Sequence, residues 1–142
     1  MGKKRIVTQQ GGGEGTNKRS SSKTPKKRLS SATIHIQSTF NNTKILLADN
    51  DGNALAWSSS GALGFKGAKK GTPFASGKIA NLIAEKAEAM GVKNIDIIVK
   101  GVGAGRESAI RTIGGRGFDI GTIRDMTPVP FNGPRAKKAR RV

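Results

Sequence analysis

The chain has no cysteine and no tyrosine, one histidine, one tryptophan and nine acidic residues among 142. Lacking cysteine, it forms neither a disulfide nor a thiolate zinc site, a usage that fits a cytoplasmic protein. His35 has no second imidazole with which to share a metal ion and stands in an alternating strand, so a structural or RNA-edge role is expected of it. Aromatic residues make up 4% of the sequence, and no strand carries the paired rings on which single-strand RNA-binding sheets stack bases. Trp57, in a half-apolar strand, is expected in the core. No apolar run approaches the length of a membrane span, and no apolar stretch of a secretory signal follows the N-terminal lysines.

The shortage of acids also limits catalysis. Asp49 and Asp51 flank a turn, Glu85 and Glu88 lie on or near the polar face of a long helix, and the first strand holds no carboxylate. Gly-x-Ser-x-Gly is absent, and His35 has no acid at triad spacing. The chain therefore reads as no enzyme, with no cofactor, no metal and no small-molecule substrate.

Bases are abundant: 26 Lys and Arg give a net charge of +17. Their distribution is uneven. Residues 1–30 hold nine bases against Glu14, residues 134–142 hold five and no acid, and the middle holds twelve against eight acids. A mildly basic domain thus carries two strongly basic tails, which repel themselves until a polyanion neutralises them. Nucleic acid is the partner such tails fit, through phosphate contacts and counterion release. Neither tail has the apolar face that a membrane surface requires.

Residues 1–31, rich in Gly, Ser and base, read as a disordered basic tail; 32–127 as a single α/β RNA-binding domain; 128–142 as an extended basic tail. Within the domain, ATIHIQSTF alternates like a strand, with Ile34 and Ile36 on one face. Two apolar runs flank Asp51-Gly52, a pair suited to a tight hairpin turn, so three strands form an antiparallel meander. Residues 61–72 have no helical period and read as a loop. Thr72-Pro73 supplies a helix N-cap and first turn, Ile79, Leu82, Ile83, Ala87 and Met90 follow at helical spacing, and Gly91 closes a helix over 73–90. NIDIIVK is a strand beside the meander, a short helix runs from Arg106 and carries Ala109, Ile110 and Ile113, and FDIGTIRDMT is the last strand. The order βββαβαβ gives a mixed sheet with helices packed on it.

The stretch VKGVGAGRESAIR, residues 99–111, resembles a phosphate loop: strand, alternate glycines, helix. It is no cofactor site. Arg106 stands where the dinucleotide fingerprint needs its third glycine, and Gly-Lys-Ser/Thr occurs nowhere. The backbone logic remains, since glycines permit close approach, helix N-terminal amides attract anions, and Arg106 adds a cationic fork. Gly101, Gly103, Gly105 and Arg106 are expected to hold an RNA phosphate. Lys66, Lys69 and Lys70, set among glycines, are expected to follow a sugar-phosphate backbone.

FNNT, the GNALAWSS hairpin, GFKGAKKGTPFA, GRESAIR and TPVPFNGPRAKKARRV occur in one order. Over residues 32–142 the chain resembles ribosomal small-subunit protein eleven, a universal family, of the bacterial type. The resemblance implies a ribonuclease-H-like motif without nuclease activity, in a structural constituent of the small ribosomal subunit. It further implies a place on the platform, bridging helices of small-subunit ribosomal RNA near the messenger exit channel and the Shine-Dalgarno cleft. Implied neighbours are small-subunit proteins seven and eighteen, the third initiation factor and messenger RNA. The RNA-facing residues it implies are Asn41, Asn42, Thr43, Lys66, Lys69, Lys70, Arg106, Arg111, Asn132, Arg135, Lys137, Lys138, Arg140 and Arg141. Val102 and Ala104 replace the family's usual prolines, and Phe131, Pro134 and Ala136 depart from its usual tail. Asn132-Gly133 is the chain's one Asn-Gly pair and a candidate isoaspartate site, because glycine lets its own backbone nitrogen attack the Asn amide. Two alternatives stand beside this reading: an RNA-binding or annealing module outside the ribosome, and a degenerate ribonuclease-H-like nuclease.

Overall fold

The computed structural model describes residues 28–139. Residues 1–27 of the expected N-terminal tail over 1–31, and the sites Arg140 and Arg141, lie outside the described residues. Five strands, β1 Ser31–Ser38, β2 Thr43–Ala48, β3 Ala54–Ser59, β4 Asn94–Lys100 and β5 Asp119–Asp125, form one sheet in the order β3-β2-β1-β4-β5. The meander β1-β2-β3 is antiparallel, and β4 and β5 add in parallel beside β1. Helices α1, Pro73–Met90, and α2, Gly105–Gly114, cover one face. This is the expected βββαβαβ mixed sheet.

Local chemistry accounts for the boundaries. The Thr72 hydroxyl accepts from the Ala75 amide, Pro73 occupies the first turn, and Gly91 at φ 81° ends α1 in the left-handed region. Gly52, at φ 87°, turns the β2-β3 hairpin. Residues 61–72 contain a short 3₁₀ helix, Gly67–Gly71, where the sequence predicts an irregular loop. At 3₁₀ spacing, five residues bounded by glycines leave too little periodicity to read.

The core forms between sheet and helices. Ile34, Ile36, Ile45, Leu47, Ile95, Ile97 and Val99 from the strands meet Ile79, Ile83 and Ala87 of α1 and Ala109 and Ile113 of α2, all buried. Arg116 ties the two helices, donating to Asn81 Oδ1 from Nε and Nη2 at 3.1 and 3.0 Å and pairing with Glu85 and Glu88. Trp57 is not in this core. It is 66% exposed, because the alternation of β3 buries Ala56 and Ser58 and turns Trp57 to the face without helices. Among the described residues, no helix is long and apolar enough to cross a membrane.

Candidate nucleic-acid interface

The topology sorts charge between the two ends of the sheet. At one end, called the tip, β1 ends at Ser38, β2 begins at Thr43, and β3, β4 and β5 end at Ser59, Lys100 and Asp125. Both α1 and α2 also start there, so their positive dipole ends point to the tip. Lys44, Lys66, Lys69, Lys70, Lys100 and Arg106 belong to these strand ends, loops and first turns, with Arg111 farther along α2 in its last turn, whereas Asp49, Asp51 and Asp119 lie at the far end. The only tip carboxylates among the described residues, Glu107 and Asp125, are each paired with an arginine. An anion therefore meets the field of two helix N-termini and several cations, with the local acids already neutralised.

Three chain segments interlock to build the tip. In the turn after β1, the Asn42 carbonyl accepts from the Thr39 amide at 2.8 Å and the Thr39 hydroxyl at 3.1 Å. A Cβ on Gly71 would stand 2.2 Å from the Phe40 carbonyl oxygen, so the end of the 3₁₀ helix lies directly on that turn and carries Lys69 and Lys70 beside Asn41. The glycine loop closes on the same strand end, with the Gly103 amide donating to the Ser38 carbonyl at 3.0 Å. Ser76 Oγ donates to the Gly105 carbonyl at 2.6 Å, anchoring the start of α2 on α1.

Several expected contacts acquire a different physical role. A Cβ would meet the Ser38 carbonyl oxygen at 2.1 Å on Gly101, the Thr39 carbonyl oxygen at 2.3 Å on Gly103, and Thr43 Oγ1 at 2.6 Å on Gly105. Gly101 and Gly103 admit the chain's own backbone and Gly105 admits the Thr43 and Ser76 side chains, so close approach at these glycines is made by protein, and Gly103 and Gly105 are buried. Thr43, expected to face RNA, is fully buried, with its hydroxyl 3.3 Å from Ser38 Oγ and directed at α2. Arg106 is not a free fork. Its Nη1 donates to the Gly101 carbonyl at 2.5 Å, its Nη2 bonds Asp125, and the guanidinium clamps the glycine loop to the end of β5.

Asp125 is the electrostatic partner of that clamp. The Thr127 hydroxyl first, then the Arg106 guanidinium and the Thr127 amide, donate to its carboxylate and hold its pKa at about 2, below the ordinary 3.8. Thr127 Oγ1 also accepts from the Gly101 amide at 3.1 Å, so loop, helix and departing tail share one network.

What the tip leaves to solvent is Asn41, Lys44, Lys66, Lys69, Lys100 and Arg111, all exposed, with Lys70 half-buried. Arg111 pairs with Glu107 one turn back, an exposed pair that a phosphate can displace cheaply. Asn42 Oδ1 is buried without a hydrogen-bond partner, an acceptor still owed a donor. In the tail, Arg135, Lys137 and Lys138 are exposed, and Asn132, at φ 57°, is the one non-glycine residue with positive φ among the described residues. Lys44 and Lys100 carry no motif and escaped the sequence reading; their strand-end positions beside FNNT and the glycine loop were the available signal.

Carboxylates form no metal-type cluster among the described residues. Asp49 accepts from the Asn50 amide at 2.8 Å, and Asp96 accepts from the Thr122 amide and hydroxyl, both at 2.9 Å.

Comparison with known proteins finds one family and many relatives. The profile of the family described as Ribosomal protein S11 matches residues 32–141. The small ribosomal subunit protein uS11 of Thermotoga maritima is 53% identical over 123 residues, covering 87% of this chain and 95% of that protein.

Proposed function

The chain belongs to the ribosomal protein S11 family, and from that premise we propose that it is a non-enzymatic constituent of the small ribosomal subunit that grips ribosomal RNA with its tip. The observation that carries the proposal is the charge sorting along the sheet. Two helix N-termini, three interlocked loops and their lysines converge on one end, where both local carboxylates are paired with arginines, while Asp49, Asp51 and Asp119 lie at the other. Lys66, Lys69, Lys70, Asn41 and Arg111 contact phosphates and sugars directly. Gly101, Gly103, Gly105, Thr43 and Arg106 fix the shape that presents them.

In this reading the domain bridges RNA helices on the platform, near the messenger exit channel, in the cytoplasm. Small-subunit proteins seven and eighteen and the third initiation factor are its neighbours. Asn42 moves slightly to give its orphan acceptor a ribose hydroxyl, and the tail cations extend the contact. Asn132, already in the left-handed region before Gly133, is proposed as an isoaspartate site, a modification that fragmentation mass spectrometry of mature subunits distinguishes from intact asparagine.

Sedimentation of native lysate tests the assignment. The chain is expected to run with small subunits; a chain found mainly apart from them would favour a free annealing module. Metal-dependent RNA cleavage lost on changing Asp49 or Asp96 would instead favour the nuclease.

A further inference from the structure

The helices cover one face of the sheet, and among the described residues the other face stands open. Across it, cross-strand partners Trp57, Leu46, His35, Ile98 and Arg124 stand in one register line over all five strands. The next line toward the tip holds Lys44, Gln37 and Lys100. Trp57 is 66% exposed and Leu46, His35 and Ile98 are half-buried, so an apolar floor is edged by cations. Lys44, Lys100 and Arg124 pair with no carboxylate among the described residues. Asp96, one line farther from the tip, is occupied by Thr122. Burial, then the charge of Lys100, lower the pKa of His35. Most of these side chains line a shallow groove of about 550 Å³.

An indole beside an apolar floor, with two unpaired ammonium groups along its edge, complements a nucleotide: base against ring, phosphate against lysine. A peptide partner would leave those cations unmatched unless it were acidic. We propose that the open face binds an unpaired RNA nucleotide, its base stacked on Trp57 and its flanking phosphates held by Lys44 and Lys100. The inference rests on the chain being an RNA binder and gives it a second surface, joined to the tip through Gln37 and Lys44, which also border the Thr39–Asn42 turn.

With no tyrosine and one tryptophan, protein emission reports on this face alone. The full chain is titrated with single-stranded oligoadenylate and with an RNA duplex of equal length. Quenching should saturate with the single strand and not with the duplex. Trp57→Ala should weaken single-strand binding about tenfold, and Trp57→Phe should retain most of it, because stacking needs a ring. Since Trp57 is exposed, neither variant threatens the fold. Unchanged emission and unchanged Trp57→Ala affinity, in a chain that still binds small-subunit ribosomal RNA, would overturn the proposal and leave the tip assignment standing. Shielding of Trp57 from acrylamide only after other subunit proteins join would also overturn it and give the face to a protein. Failure of the unaltered chain to bind ribosomal RNA at all would instead defeat the tip assignment.

Discussion

Three glycine-to-alanine substitutions separate the two reasons this sequence uses glycine. Gly117 has φ 80° and open space around its missing side chain, so alanine there meets backbone strain alone. That strain is about 1–2 kcal/mol, partly offset by about 0.4–1 kcal/mol from a less flexible unfolded chain. Gly103 has no positive φ, but its Cβ would lie 2.3 Å from the Thr39 carbonyl oxygen and 2.4 Å from Ser38 Oγ. Forcing an extra carbon into packed structure costs about 1–3 kcal/mol, and backbone atoms yield poorly. Gly101 combines both, with φ 98° and a contact of 2.1 Å to the Ser38 carbonyl oxygen. The expected losses are therefore about 1, 2 and 3 kcal/mol for Gly117→Ala, Gly103→Ala and Gly101→Ala, taking strain and overpacking together. Urea denaturation followed by circular dichroism reads them from the midpoints, provided the slopes agree. If the two loop variants are no less stable than Gly117→Ala, the glycine loop does not pack on β1 as described.

The Asp125 clamp should depend on pH. Its folded pKa of about 2 lies below the ordinary 3.8, so its contribution is present above that ordinary value and is lost as pH falls through about 2. Carboxyl-detected NMR should find the Asp125 midpoint near 2, and an unshifted midpoint would mean the Thr127 and Arg106 bonds do not persist in solution. Replacing Lys66, Lys69 and Lys70 with alanine should leave urea unfolding unchanged while reducing the salt dependence of RNA binding by about two ion equivalents. An unaltered slope would exclude these lysines from phosphate contact. Ile83→Ala, at a fully buried position, should cost about 2–5 kcal/mol in the same denaturation experiment. A loss below that range would mean the α1 face is not packed as a core.

The fold was legible wherever local chemistry decides. Thr72-Pro73 and Gly91 bound α1 with the caps that those residues provide, and Asp51-Gly52 turned the hairpin. Period and polarity also found the inward residues of β1 and α2. Trp57 was misplaced because alternation shows that a strand has two faces without showing which one the helices cover. Alternation is equally silent on Thr43, the first residue of β2, which points to the helix side and is buried. The bond from Arg106 to Asp125 spans 19 positions in sequence, and only the parallel pairing of β4 with β5 brings them together. The glycine loop did look like an anion cradle. Its glycines proved to answer to Ser38, Thr39 and Thr43, contacts that local spacing does not encode.

The central claim is that ribosomal RNA lies against the tip. Ultraviolet crosslinking of assembled small subunits, followed by mass spectrometry of the crosslinked peptides, tests it most directly. Crosslinks should concentrate in the turn at 39–42, the loop at 61–72 and the first turn of α2, on Asn41, Lys66, Lys69 and Lys70 above all. Crosslinks confined to the far end, around Asp49, Asp51 and Asp119, with the tip peptides recovered unmodified, would contradict it.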